Sequence, residues 1–197
     1  MWVRGENVEC LQVRLSPLVV RAILNVSPSD LDGTMVALDD LWGRDAARIR
    51  ERLAAVSSWE DRFALTDALL LRRRQARSSS VDPEVAWSWR RIIASRGLVR
   101  VDRLAAEVGW SRKRLWSRFR SQIGLQPKRA ANLVRFDHAA HRLVAGDGPS
   151  RVAADSGYSD QSHLHRDVVA FTGVTPTTVA TEPWLAVDNT AWTPYPP

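Results

Sequence analysis

Apolar residues recur with helical spacing through most of the second half of the chain. From Ser111 onward Leu115, Phe119 and Ile123 stand at i, i+4 and i+8, so they share one face, while Lys113, Trp116, Ser117 and Arg120 fall on the other. Leu164, Val168 and Phe171 repeat the stripe further on, leaving Gln161, Ser162, His165 and Arg166 outward. Between these runs, residues 126–145 carry Leu133, Val134, Phe136, Ala140, Leu143 and Val144 at the same spacing and stop before Gly146 and Gly148, which predicts one long helix. The first half is more broken. Leu11, Val13 and Leu15 alternate with Gln12 and Arg14, the pattern of a half-buried strand, and residues 34–38 suggest a second. Ser16-Pro17 starts a short helix through Leu24, and Ser27-Pro28 opens a turn. Helices follow over residues 45–56 and 59–77, the second behind a capping box formed by Ser57 and Glu60. Arg77-Ser-Ser-Ser80, then Asp82 as helix cap and Pro83 at the first helical position, place a boundary between an N-terminal region (1–80) and a second domain (81–180), with a tail over 181–197. The predicted class is mainly α, with one or two short strands before the boundary.

The second domain contains an internal duplication. Leu104-Ala-Ala-Glu-Val-Gly109 is matched 48 residues later by Val152-Ala-Ala-Asp-Ser-Gly157, and Trp110-Ser111 by Tyr158-Ser159. With one residue inserted, Leu115/Leu164, Phe119/Val168, Gly124/Gly173 and Pro127/Pro176 continue at a spacing of 49. Each copy reads as a short helix, a glycine turn and a Ser-capped second helix, with a small Ala105 that allows a close crossing. This is the logic of a helix-turn-helix, whose second helix enters a major groove. A connector of about 20 residues spans roughly 30 Å. That is close to the roughly 34 Å between successive major-groove faces on one side of B-DNA, so one polypeptide could read two adjacent turns.

Charge sharpens the picture. Of 197 residues 28 are basic, 26 of them Arg, for a net charge of +6. Residues 90–135 hold 13 basic side chains against Asp102 and Glu107, whereas residues 1–80 hold 12 against 11 and residues 136–197 hold 3 against 7. So local an excess is the footprint expected of a polyanion binder, because phosphate contacts release counterions; the alternative is a solvated Arg-rich face. A single cysteine, Cys10, excludes an internal disulfide, no Cys/His set has zinc-finger spacing, and no apolar run is long enough for a membrane span, so a cytoplasmic protein without cofactor is expected. His163 and His165 point apart on one helix, and His138 and His141 share a face without an obvious third ligand, so no metal site is expected. No Gly-x-Ser-x-Gly elbow or phosphate loop occurs, and no catalytic residue is assigned.

Gly109-Trp-Ser-x-x-x-Leu-x-x-x-Phe-x-x-x-x-Gly-x-x-Pro127, Arg135-Phe136, and above all Gly157-Tyr-Ser-Asp-Gln-Ser-His-Leu-His-Arg166 with Gly173-Val-Thr-Pro176 resemble the DNA-binding domain of AraC/XylS-type transcriptional regulators. The resemblance covers residues 83–176. It implies two helix-turn-helix units on promoter DNA, with base-facing roles for Lys113, Trp116 and Ser117 in the first and for Gln161, Ser162, His165 and Arg166 in the second. Arg112, Arg118 and Arg120 would flank the groove as phosphate contacts, and RNA polymerase would be a further partner. Two departures stand out: Val168 replaces the usual Phe, and Asp167 puts a negative charge beside Arg166. Residues 1–80 resemble, more weakly, only the end of a sensor region, without the strands of its usual effector-binding barrel, so the chain reads as a shortened or mis-started version of a longer regulator.

Trp116 has two readings, packing on the connector or touching DNA. Trp87 and Trp89 read as core or interface residues, and the tail with Trp184 and Trp192 as an extended strap or disordered end. The competing functional reading is an interaction module that dimerises through residues 45–77, its DNA-binding unit having decayed; the acidic second copy favours it. An enzyme fused to such a domain would need a nucleophilic cysteine in a catalytic domain, and Cys10 lies in a strand-like segment without a partner motif.

Overall fold

A computed structural model describes residues 9–31, 33–77 and 81–181. Within them the chain is helical: α1 (Pro17–Leu24), a 3₁₀ turn (Pro28–Leu31), α2 (Leu38–Trp42), α3 (Arg44–Ala54), α4 (Trp59–Gln75), α5 (Pro83–Ala94), α6 (Val101–Glu107), α7 (Arg112–Ile123), α8 (Pro127–Val144), α9 (Pro149–Asp155), α10 (Gln161–Thr172) and α11 (Pro176–Thr181). The expected tail from residue 182 lies outside the described residues.

The expected strands are corrected. Residues 9–16 and 34–37 are irregular, and no strand occurs among the described residues. Alternating side chains do not make a strand by themselves, because its N–H and C=O groups need a neighbouring strand. Leu11 and Leu15 are half-buried but Val13, the middle of the expected row, is exposed, so the three do not face the protein as one set. Residues 38–42, partly read as strand, form α2, which Gly43 at φ 55° turns into α3. Arg50 of α3 donates two hydrogen bonds to the Asp39 carboxylate of α2, both 2.7 Å. The cap of α4 is also one residue later than expected: Ser58, not Ser57, accepts the Asp61 N–H at 3.0 Å.

α1 begins where Ser16 accepts the Leu18 N–H and ends at Asn25 in the left-handed region. It packs on α4 and, across the predicted boundary, on α7, with Leu18 against the core of the second domain. The 3₁₀ turn also packs on α7. Gly124, at φ 88°, is required there: a Cβ would stand 2.6 Å from the Pro28 carbonyl oxygen. Asp82 completes the junction, its N–H donating to Gln122 Oε1 at 2.8 Å.

Two separate apolar cores follow. Val85, Trp89, Ile92, Leu104, Leu115, Phe119, Ala130 and Val134 belong to the first; Ala139, Leu143, Val152, Tyr158, Leu164, Val168 and Val179 belong to the second. α8 runs through both, giving residues 130, 131 and 134 to one and 139, 140 and 143 to the other. Trp89 is core as expected, while Trp87 lies at the surface.

Candidate nucleic-acid interface

Each unit is built by the same local rules. α6 ends in a paired reversal: the Gly109 N–H donates to Ala106 O and the Trp110 N–H to Ala105 O, with Gly109 at φ 67°. Ser111 then caps α7 by accepting the Arg114 N–H at 3.2 Å. In the second unit the Tyr158 N–H donates to Ala153 O, but the cap of α10 is Asp160, which accepts the His163 N–H at 2.7 Å. The expected serine cap at Ser159 is thereby corrected, and the inserted residue is located. Ser111 and Asp160 are 49 apart, so the change of register falls in the turn and α10 starts one residue late. That N–H, with the Ser159 hydroxyl, holds the Asp160 carboxyl below the usual carboxylate range.

Below α7, Leu115, Phe119 and Ile123 are buried. Above it, Arg112, Lys113, Trp116, Ser117, Arg118 and Arg120 are all exposed. Trp116 is 41% exposed with the Arg120 guanidinium 5.3 Å from its ring centroid, so it lies on the outer face and not in the core. Arg112 pairs with Asp102 at 3.2 Å. Arg118 is committed further: its Nε and Nη2 donate to the two Asp82 carboxylate oxygens at 2.8 and 3.0 Å. Arg114, which the spacing did not single out, is exposed in the first turn with its guanidinium over Trp110 at 4.5 Å. The signal was its place beside the cap.

On α10, Gln161, Ser162, His165 and Arg166 are exposed over buried Leu164 and Val168. Phe171 is only half-buried, stacked on Phe136 at 4.9 Å. Gln161 accepts from the Ser150 hydroxyl of α9 at 2.8 Å, and Arg166 Nε lies 3.4 Å from Ser162 O. Asp167 does not face outward beside Arg166. It accepts from Arg135 of α8 at 2.9 Å, with the two side chains 21% and 15% exposed. The departure is thus neutralised inside the protein. Val168 is fully buried in the second core.

Arg135 also lies over the Tyr158 ring at 4.3 Å. Burial pushes the Tyr158 phenol up to about 12. An unfolded tyrosine ionises near 10, so the neutral buried ring contributes stability fully below pH ~10 and loses it as pH rises toward 12. Denaturant unfolding of Tyr158→Phe should therefore lose less stability than the parent over that window.

Residues 104–182 match a family model described as a helix-turn-helix domain, less than half of the chain. Among solved structures, the C-terminal domain of AraT, a response regulator from Geobacillus stearothermophilus, is similar at 19% identity and a TM-score of 0.49, covering 52% of this chain and 88% of that one. No curated protein matches the chain.

Proposed function

We propose that this chain, whose residues 104–182 match a helix-turn-helix family model, is an AraC-type, sequence-specific transcriptional regulator that reads two successive major-groove segments without doing chemistry. The observation that carries the reading is the outer face of α7. Lys113, Trp116, Ser117 and Arg120 stand exposed over a fully buried stripe, inside the segment where basic residues outnumber acidic ones 13 to 2. Gln161, Ser162, His165 and Arg166 supply the second face, with donors and acceptors suited to base edges. α8, 18 residues and about 27 Å long, spaces the two. Promoter DNA is the partner, and RNA polymerase would be positioned or blocked beside it.

Arg112 and Arg120 serve as phosphate contacts in this reading. Arg118 must first release Asp82, so Arg120 is the cleaner probe. Affinity should fall with salt at a log–log slope of about −0.9 per neutralised phosphate, and Arg120→Ala should weaken binding to every sequence and flatten that slope by about one contact. A slope near zero for the intact chain would sink the polyanion reading.

Specificity is tested separately by selecting preferred duplexes from a random pool. Lys113→Ala and Arg166→Ala should each cost on the order of 1–3 kcal/mol on the preferred site and relax the preference at one or two base pairs. If both variants return the parent motif, the reading faces are misassigned.

A second reading, dimerisation through residues 45–77, is favoured by α4. It buries no residue completely and leaves Trp59, Phe63 and Leu71 exposed. Sedimentation of the full chain with and without Phe63→Glu decides it. A monomeric parent removes the reading.

A further inference from the structure

The two cores share no buried residue, and the reading helices are joined through α8. α8 changes allegiance between Val134 and Ala139, where Arg135, Phe136, Asp137 and His138 are only half-buried. α8 is one continuous helix across the seam, and long helices curve gently. At about 100° per residue, a few degrees of twist per residue across that seam would swing α10 well away from its place relative to α7. A contact that crosses the seam would hold that angle in addition to the packing of each unit on α8.

We propose that the turn between α5 and α6 is a clasp, with Leu98 as the residue that positions the second reading helix relative to the first. The turn is tightly wound: Arg96 and Gly97 both take positive φ, 53° and 75°, with their N–H groups donating to Ile93 O and Ile92 O. This brings Gly97 flat against the middle of α8, where a Cβ would overlap Ala131 O and stand 2.8 Å from Arg135 N. The next residue reaches the second unit. Leu98 packs on Gly157, in the turn between α9 and α10, so closely that a Cβ at Gly157 would overlap Leu98 Cδ2. Arg135 continues the contact from the same point of α8 by bonding Asp167 of α10 and covering Tyr158.

The duplication supplies the comparison. Gly109 occupies the place in the first unit that Gly157 occupies in the second, with nearly the same φ, 67° against 72°, yet nothing lies within 4 Å of a Cβ at Gly109. Both turns need glycine for the backbone. Only the second also needs it to seat a side chain from the other unit. Leu98 itself is 51% exposed, unusual for a leucine in a structural contact, and it makes little of either core. Its worth lies in where it touches.

The inference rests on the two-segment reading for its consequence on DNA but not for its geometry, so two measurements on the full chain separate them. Residual dipolar couplings without DNA should fit α5–α7 and α9–α11 of the parent to one alignment tensor. In Leu98→Ala, with helicity unchanged, the two units should need different tensors, and Gly157→Ala should do the same while Gly109→Ala does not. A single shared tensor in Leu98→Ala with the parent orientation overturns the clasp.

The second measurement uses duplexes whose two half-sites are moved apart in single base-pair steps. The parent should lose about tenfold in affinity one step from its optimum, and Leu98→Ala should lose only about threefold, with lower affinity at the optimum itself. A mere loss of stability would lower the curve without broadening it, and that outcome also overturns the clasp. A parent with one tensor and no spacing optimum would end the two-segment reading and leave the clasp supported.

Discussion

In an Ala139→Pro variant, α8 is expected to break at its seam and the second unit to come loose while the first stays folded. Proline at 139 deletes the N–H that α8 bonds to Arg135 O and drives its ring into that carbonyl, costing about 3 kcal/mol or more. Ala139 is also fully buried in the second core, where extra ring atoms add a further ~1–3 kcal/mol of overpacking. Against a domain stability of about 5–15 kcal/mol, the sum removes most of what holds a unit as small as α9–α11. Hydrogen exchange should show α10 losing protection and α7 keeping it, and on the two-segment reading footprinting should shrink toward the half assigned to α7. Ala139→Gly, at about 1 kcal/mol, should keep both halves. An undiminished footprint on a folded proline variant would count against α8 as the link between the two units.

Phe119→Ala is expected to do the converse. Phe119 is fully buried with Trp89, Leu104 and Leu115 around it, and its loss leaves a cavity under the outer face of α7, at about 3–5 kcal/mol. Because the second core shares no residue with the first, the two units should melt in separate steps, the first some tens of degrees below its parent value. Trp116→Ala, three residues away on the exposed side, should leave melting nearly unchanged and act on DNA affinity. Calorimetry on both variants is the check; one cooperative transition in Phe119→Ala would mean that the cores are energetically one.

The helices after residue 81 were legible because their information is local and repeated. The stripe of Leu115, Phe119 and Ile123, the glycine stops and Pro83 each act within a few residues, and the duplication doubled the signal. What escaped was set at a distance. Nothing near Asp167 in sequence shows that Arg135, 32 positions earlier, neutralises it, or that Asp82 holds Arg118. The roles of Gly124 and Gly157 look identical to any turn glycine until Pro28 and Leu98 are seen in the space a side chain would need. In the first half the alternation of Leu11, Val13 and Leu15 is real, but a strand is a property of two segments and its partner is missing from the described residues. The Ser57/Ser58 error has a simpler cause. Two adjacent serines each precede an acid by three positions, Glu60 and Asp61, and only the backbone decides which one caps.

The seating of Pro28 against Gly124 has a consequence on the ribosome. α1 can pair with α4 once residue 75 has cleared the exit tunnel, but the 3₁₀ turn finds its seat only after α7 is made, nearly a hundred residues after Pro28 itself. At synthesis rates of about 5–20 residues per second, that surface waits on the order of 5–20 s without its partner. During elongation the early helices are therefore an unfinished interface, and the glycine that completes them arrives at the end of α7.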